Sequence, residues 1–438
     1  MSTPGPARTP QHVAIFMFPG YGHVHPTLEM SRCLVTMGHR VTYVLDEQHT
    51  AEVTATGAAI VPYRSRRGRI AQAATGEDIG ALGLEFLRES KDVVLPLALD
   101  AFRDDVPDLV LYDLESFFAA RIAARHWDRP TAQLFPYVAT NEKFSLALEV
   151  FDGADGHVQQ CIDLATEYLT GQGEDPDAVW TFMSNFDERN IVLLPREFQP
   201  LGETFDERYT FTGHSFPTDP PGTGSWPGPP GGGPAVLITL GTEVNERPDF
   251  FRLCDSAFAD GGLHVVLPVG RGNLPAEPVA AHVETHEWIA FHTLVPQVEA
   301  VVCHGGMSTM LMAIHYGKPL VVVGFTPEEK LNGRRVAELG IGVSLSAEGL
   351  TADRLRAAVE QAMNDPAIQH RVARMRIDML ASGGPSRAAV LVEGWLREST
   401  RARLSCRPHA ATTGRPTTYG DPMRQSDRWA EPDRTVTP

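Results

Sequence analysis

Val301-Val302-Cys303-His304-Gly305-Gly306-Met307-Ser308-Thr309 is the stretch on which the fold turns. A short apolar run ends in a histidine and a glycine pair, and helix-compatible residues follow as far as Tyr316. Such a run, bounded by glycines, reads as a buried strand at 301–303 feeding a helix at about 308–316. Glycines at a helix start let a ligand approach exposed backbone N–H groups, and the helix end adds about half a positive charge. The unit is therefore either a local anion site or a tight strand-to-helix turn with no ligand.

The same alternation extends on both sides. Strands are expected at 236–240, 264–269 and 320–323, and helices at about 248–259 and 328–339, with further amphipathic helices to about residue 400. It also occurs in the first half: strands at 13–18, 41–45, 59–63, 109–112 and 131–135, and helices at about 26–37 and 114–126. A short helix ends at Gly57, and 136–190 is less regular. Strands that alternate with helices build parallel sheets covered on both faces, so the class is α/β with two doubly wound, Rossmann-like domains. Between them, residues 217–234 contain seven Pro and six Gly in eighteen positions, a composition that reads as an interdomain linker. The units are thus 1–216, the linker 217–234, and 235–385. Residues 401–438 are poor in aliphatic side chains and are expected to be a disordered tail.

With 438 residues, the chain is long enough for domains that bury their own cores without disulfides or metals. Its 38 Lys+Arg against 55 Asp+Glu give a formal net charge of −17, which argues against nucleic-acid and anionic-membrane partners. Any phosphate must be held locally. The five cysteines are scattered without a Cys-x-x-Cys pair, as expected of buried thiols in a reducing compartment. No apolar stretch near the N-terminus is long enough for a signal segment or a membrane span. A cytoplasmic location is expected.

Ligands of open parallel sheets bind beyond the carboxyl ends of the strands. Gly20-Tyr21-Gly22-His23-Val24-His25-Pro26 follows the first strand there, with Pro26 expected in the first turn of the helix. A dinucleotide fingerprint is poorly supported, since its third glycine is missing and only Asp46 lies about twenty residues on. Alternatively, His23 is a general base whose tautomer is fixed by Asp113 at the end of the fourth strand. His25 competes with His23 for that role. The plain readings are a turn histidine and a helix-capping aspartate. Leu240-Gly241-Thr242 is another strand end that offers a glycine and a hydroxyl.

Taken together, Gly20 to Pro26, Trp288, His304 to Thr309, Gly317-Lys-Pro319 and Glu328-Glu329-Lys-Leu-Asn332 resemble the family 1 glycosyltransferases of the GT-B fold, most of all the bacterial macrolide and antibiotic enzymes. The likeness covers about residues 12–400. It implies an inverting, metal-independent transfer of a sugar from a UDP- or dTDP-sugar to a hydroxyl of a hydrophobic small molecule. The acceptor would bind in 1–216 and the donor in 235–385, with 386–400 a C-terminal helix packing back on the N-terminal domain. By that resemblance His23 is the base and Asp113 orients it. Trp288 stacks on the nucleotide base and the Ile289 backbone contacts it. Thr242, His304, Gly306, Ser308 and Thr309 surround the diphosphate, Glu328 and Glu329 face the sugar, and Asn332 supports that turn. No cofactor or metal is expected, and the chain would act as a monomer or homodimer.

Some positions depart from the family pattern. A glutamate usual eight residues after the motif histidine is Met312, the usual acidic-Gln pair is Glu328-Glu329, and the Pro-Gln after Trp288-x is Ala290-Phe291. Gly324 stands for a common proline. Phe117, Phe135, Tyr137 and Phe144 are candidate acceptor contacts, though aromatics in such a domain also build its core. A nucleotide-sugar epimerase of the same fold, or a non-catalytic nucleotide-sugar-binding partner protein, are the alternative functions.

Overall fold

The computed structural model describes residues 10–66, 76–150, 155–175, 178–184, 186–216, 226–230, 232–241, 247–259, 261–270 and 280–405. Two all-parallel sheets organise the chain. The first takes β1 (His12–Phe16), β2 (Arg40–Asp46), β3 (Ala59–Tyr63), β4 (Leu109–Tyr112), β5 (Thr131–Phe135), β6 (Asn190–Val192) and β7 (Tyr209–Phe211) in the order β3-β2-β1-β4-β5-β6-β7. The second takes β8 (Ala235–Thr239), β9 (His264–Pro268), β10 (Val283–His286), β11 (Ala300–Cys303), β12 (Leu320–Gly324) and β13 (Gly342–Ser346) in the order β10-β9-β8-β11-β12-β13. Central strands such as His-Val-Ala-Ile-Phe and Ala-Val-Val-Cys are buried at every position, which is why they read as continuous apolar runs. In each sheet the order reverses once, between β1 and β4 and between β8 and β11. Adjacent connections diverge there and open a crevice at the strand ends.

The helix after β1 corrects the expected start at 26. It runs from Tyr21 to Thr36, and Pro26 lies inside it. Gly20 provides the extended N-cap, and the amides of both His23 and Val24 bond to the Gly20 carbonyl. The proline falls in the second turn, so the backbone bond it cannot donate would have gone to the carbonyl of Gly22 near the helix end. His23 therefore sits in the first helical turn. Three helical stretches absent from the sequence reading also cover this sheet. Gly76–Glu89 passes through a π-helical Ser90–Val94 into Leu95–Ala101, and Asp155–Gly171 lies farther on. Pro96, which cannot make an i→i−4 bond, accounts for the π register before it.

The two lobes are packed together. Leu331 and Val336 of the helix Pro327–Leu339 share one apolar cluster with Tyr137, Leu146, Val150 and Phe198 of the first lobe. Arg335 of this helix donates to the carbonyls of Glu197, Phe198 and Gln199 at 2.8–3.1 Å, and Arg334 pairs with Glu149 at 2.9 Å. The helix Tyr21–Thr36 also touches the helix Met307–His315 of the second lobe. Within the Pro/Gly-rich stretch, Trp226 is buried. Its backbone N–H meets Thr293 Oγ1 at 3.2 Å, and its indole N–H donates to Glu284 at 3.1 Å. That end of the stretch is thereby fixed to the second lobe.

The last helix, Gly384–Ser405, lays Ala388, Ala389, Val392 and Leu396 into the cluster built by Val13, Leu28, Leu34 and Val41 of the first lobe. The helix continues through 401–405, which corrects the expected start of the tail at 401, and 406–438 lie outside the described residues. Leu396 is fully buried under β1 and β2. Leu396→Ala is expected to lower the stability of the first lobe by about 2–5 kcal/mol. Hydrogen exchange of the β1 and β2 amides under mild denaturant checks this, since unchanged protection would mean that the helix adds nothing to that lobe.

Candidate active site

In the first lobe the crevice is built around one buried carboxylate. Phe16 pairs with Tyr112 across β1 and β4, so the next residue, Asp113, emerges beside the turn that follows β1. Asp113 is fully buried. Its Oδ2 accepts the Phe18 amide at 2.9 Å and faces His23 Nδ1 at 2.9 Å, while Oδ1 accepts the Ser116 amide at 3.1 Å. A proton on Nδ1 makes the second contact a hydrogen bond and leaves Nε2 as the imidazole's other polar edge. The His23 side chain is 19% exposed and is flanked edge-on by Phe18 and Tyr137. His25, the competing candidate, turns to Glu52 at 3.3 Å and packs on Tyr21. Geometry thus separates the two histidines.

Glu115 is a member that the sequence reading missed. Its Oε2 lies 3.6 Å from His23 Nδ1 and accepts the Tyr137 hydroxyl at 2.8 Å. Asp113-x-Glu115 at a strand end is a signal that could have found it. Burial works against charge on His23, but Glu115, then the bond and charge of Asp113, and then Glu328 outweigh it and lift the imidazole to about 9. Burial, reinforced by the Asp113 charge against the pull of His23, pushes the Glu115 carboxyl above its ordinary range. His23, Asp113 and Glu115 form the group of potential metal donors found among the described residues. His23 Nδ1 and both Asp113 oxygens are engaged in the hydrogen bonds above.

In the second lobe steric fit does the corresponding work. His304 follows β11 and its ring lies between two glycines. A Cβ on Gly241 would fall 2.7 Å from Cε1, and one on Gly306 would fall 2.5 Å from Nε2. Burial pushes this imidazole below its ordinary value, against Glu329 and the Thr239 carbonyl, which favours the neutral ring. Gly306 is the N-cap of Met307–His315 and has no side chain to occupy the first amides. Ser308 Oγ is buried there without a hydrogen-bond partner. Asn332 Nδ2 donates to the Gly305 carbonyl at 2.9 Å and ties this helix start to that of Pro327–Leu339. Together these groups can receive an anion through backbone amides and neutral polar atoms.

The remaining candidates divide. Trp288 is 51% exposed just beyond β10, whereas the Ile289 side chain is in the core, leaving only its backbone to meet a ligand. Thr309 lies in the first turn of Met307–His315, and Thr242 lies outside the described residues. Glu328 is half-buried and interacts electrostatically with His23 across the cleft. Burial raises its carboxyl, with His23 opposing. Glu329 corrects the expectation that it faces a sugar. Its Oε2 accepts the amides of Phe325 and Thr326 at 2.7 and 2.9 Å in a capping box, and the residue is 7% exposed. The spacing Thr326-x-x-Glu329 carried that signal.

The acceptor aromatics are corrected too. Phe135 is fully buried in the core of a sheet covered on both faces. Phe117 packs on Phe118 and Phe182, and Phe144 lies against the interlobe cluster. Of the four, Tyr137 touches the histidine pair. A small cavity near Glu115 is lined by Phe18, Tyr63, Phe86, Glu89 and Ser90.

Comparison with known proteins agrees with this arrangement. A family described as the erythromycin biosynthesis protein CIII-like C-terminal domain matches residues 259–393. Demethyllactenocin mycarosyltransferase of Streptomyces fradiae is 33% identical over 401 residues, covering 88% of this chain and 86% of its own. Oleandomycin glycosyltransferase of Streptomyces antibioticus is 33% identical, covering 89% of this chain and 91% of its own. The crystal structure of CalG4, the calicheamicin glycosyltransferase, superposes with a TM-score of 0.79 at 36% identity, over 89% of this chain and 99% of that one. Identity at this level over most of both chains, together with two facing parallel-sheet lobes, places the protein among the family 1 glycosyltransferases of the GT-B fold, close to the antibiotic glycosyltransferases, as an enzyme that transfers a sugar from a nucleotide-sugar donor.

Proposed function

We propose that the protein catalyses inverting, metal-independent transfer from a UDP- or dTDP-sugar to a hydroxyl of a hydrophobic natural product such as a macrolide, with His23 as general base. The observation that carries this reading is the position of His23. It is fixed at the crevice of one lobe and lies within electrostatic reach of Glu328, which opens a helix of the other. Relatives named for demethyllactenocin, oleandomycin and calicheamicin support the acceptor class.

An alcohol is almost wholly un-ionised at neutral pH, so its proton must leave as the bond to the anomeric carbon forms. His23 Nε2 takes that proton while Nδ1–H remains on Asp113, and the buried carboxylate stabilises the resulting imidazolium. On the opposite face of the sugar, the departing diphosphate gains charge beside the amides that open Met307–His315, with His304, Ser308 and Thr309 around it. Trp288 offers its exposed ring to the nucleotide base, and Glu328 accepts from sugar hydroxyls. A single displacement inverts the anomeric configuration.

A thermal-shift panel of nucleotide sugars tests the donor. A ligand at ~100 times its dissociation constant adds about 2.7 kcal/mol of apparent stability, enough to rank uridine against thymidine donors. His23→Ala is expected to lose a factor of about 10²–10⁴ in transfer while keeping the donor-induced shift. Full activity would place the base elsewhere. Because His23 is held protonated up to about 9, only on the order of 1% is neutral at pH 7. Acceptor kcat/KM should therefore rise with pH toward a limb near 9, and a flat profile between pH 6 and 9 would contradict the base assignment. Gly306→Ala keeps a permitted backbone, φ −64°, yet drives its methyl into the His304 ring. Donor affinity is expected to fall about tenfold or more, about 1.4 kcal/mol, with the fold retained. Calorimetric titration with the nucleoside diphosphate checks this, and unchanged affinity would remove His304 from the site.

A further inference from the structure

Asp113 accounts for the orientation of His23, but two carboxylates face the same imidazole nitrogen. Glu115 lies two residues beyond Asp113, and its Oε2 is 3.6 Å from Nδ1. Its position is not incidental to a surface loop. The side chain is 30% exposed, and the hydroxyl of Tyr137, a residue that follows β5 and is 6% exposed, donates to the same oxygen at 2.8 Å. Tyr137 also sets its ring edge-on to His23 with centroids 5.2 Å apart. Tyrosine, glutamate and histidine thus form a closed contact that comes from three strand ends of one sheet.

All the ionisable neighbours of His23 are acids. From the end of β4 and the loop after it come Asp113 and Glu115, from beyond β5 the Tyr137 phenol, and from the first turn of Pro327–Leu339 in the opposite lobe Glu328. Phe18, which follows β1, fills the remaining side as an apolar wall. Asp113 is already satisfied by two backbone amides besides the imidazole. Its charge is therefore partly spent on the backbone, and the Glu115 side chain accepts the Tyr137 hydroxyl. The charge of Glu115 favours the imidazolium, as do the hydrogen bond and charge of Asp113.

Resting on the reading of His23 as the base, we propose that Glu115 is a positioning residue for the transfer reaction. Clamped by the Tyr137 hydroxyl, it is a second carboxylate on the Nδ1 side that sets how firmly His23 holds its proton. Asp113 fixes which way the ring points, and Glu115 fixes how strong a base it is. An opposite charge within about 4–6 Å moves a titration by about 1–3 pH units. Loss of the Glu115 charge should therefore make His23 a weaker base, neutral at lower pH.

Two variants separate charge from shape. Glu115→Gln keeps the length and an acceptor for Tyr137 but removes the charge, while Glu115→Asp keeps the charge but shortens the reach. In the full-length protein, His23 is titrated by NMR, with its resonance assigned by its loss in His23→Gln, and acceptor kcat/KM is measured across the same pH range. The expected result is a downward shift of about 1–3 units in the His23 titration for Glu115→Gln, with Glu115→Asp closer to wild type. The acid limb of kcat/KM should follow. A packing role alone would give the reverse order. If both variants titrate as wild type, or if Glu115→Asp moves further than Glu115→Gln, the inference is overturned. If the NMR titration moves while the kinetic limb stays, Glu115 tunes His23 as proposed but His23 is not the base, so the two claims fail separately. Tyr137→Phe, which frees the carboxylate without altering it chemically, should give a smaller shift in the same direction and serves as the test should Glu115→Gln not fold.

Discussion

A buried carboxylate is costly unless its lone pairs are filled, and Asp113 is the point at which this molecule meets that cost. Its oxygens collect the amide of Phe18 from the turn after β1, the amide of Ser116 from the turn after β4, and Nδ1 of His23 from the first turn of a helix. The strands whose ends it joins are the pair between which the first sheet reverses its order. One side chain thus closes the crevice backbone and aims the imidazole. Removing the carboxylate would leave amides unpaired in the interior as well as freeing the ring, which is why orientation and local stability are inseparable here.

The second sheet solves the same topological problem by shape. At the reversal between β8 and β11, His304 is confined by Gly241 and Gly306, positions where a single methyl would meet the ring. Gly241 has φ +70° and Gly305 φ +105°, so neither turn is easily made by a residue with a side chain. Gly305 is also overlain by the Glu329 backbone, which its Cβ would meet at 2.9 Å. Two helix N-termini are drawn together as a result, and Asn332 binds one to the other. Charge positions the histidine of one lobe, and the absence of side chains positions that of the other.

This difference explains what was legible in the sequence. Strands buried on both faces announce themselves, and β4 and β5 fall on the expected residues because apolar side chains dominate them. His23 and Asp113 stood out because each directly follows such a run. The long helices Gly76–Glu89 and Asp155–Gly171 did not, because glycines within them, Gly80 and Gly83 in the first and Gly156 in the second, interrupt the pattern that would mark a helix. The start of the first helix was misplaced by reading Pro26 as an opening residue, when Gly20 opens it. Glu328 and Glu329 look alike in sequence, yet the helical turn sends one toward the cleft and folds the other back onto the amides of Phe325 and Thr326. Glu115 was hidden because its importance lies in a neighbour, Tyr137, that is adjacent only once β4 and β5 pair.

The net charge of −17 bears on the chemistry in a way composition alone could not show. Asp113, Glu115 and Glu328 converge on His23, whereas the anion-receiving end of Met307–His315 presents amides and uncharged side chains. Such an end attracts a diphosphate by about half a charge, far less than a row of arginines would. On the proposed mechanism positive charge is supplied by the base, whose imidazole is protonated up to about 9, must first give up that proton, and regains one during the transfer. As the acceptor proton passes to His23, an imidazolium forms on the far side of the anomeric carbon from the leaving group, in the one place where three carboxylates are arranged to stabilise it. Negative charge in the acceptor lobe therefore assists departure of the nucleoside diphosphate through the base, provided the carboxylates stay behind the imidazole. The contacts at Nδ1 place Asp113 and Glu115 there, and Asp113 has no exposed surface by which to face the substrate. An acidic protein can thus handle a pyrophosphate without a row of arginines around it, since the end of Met307–His315 presents amides and uncharged side chains.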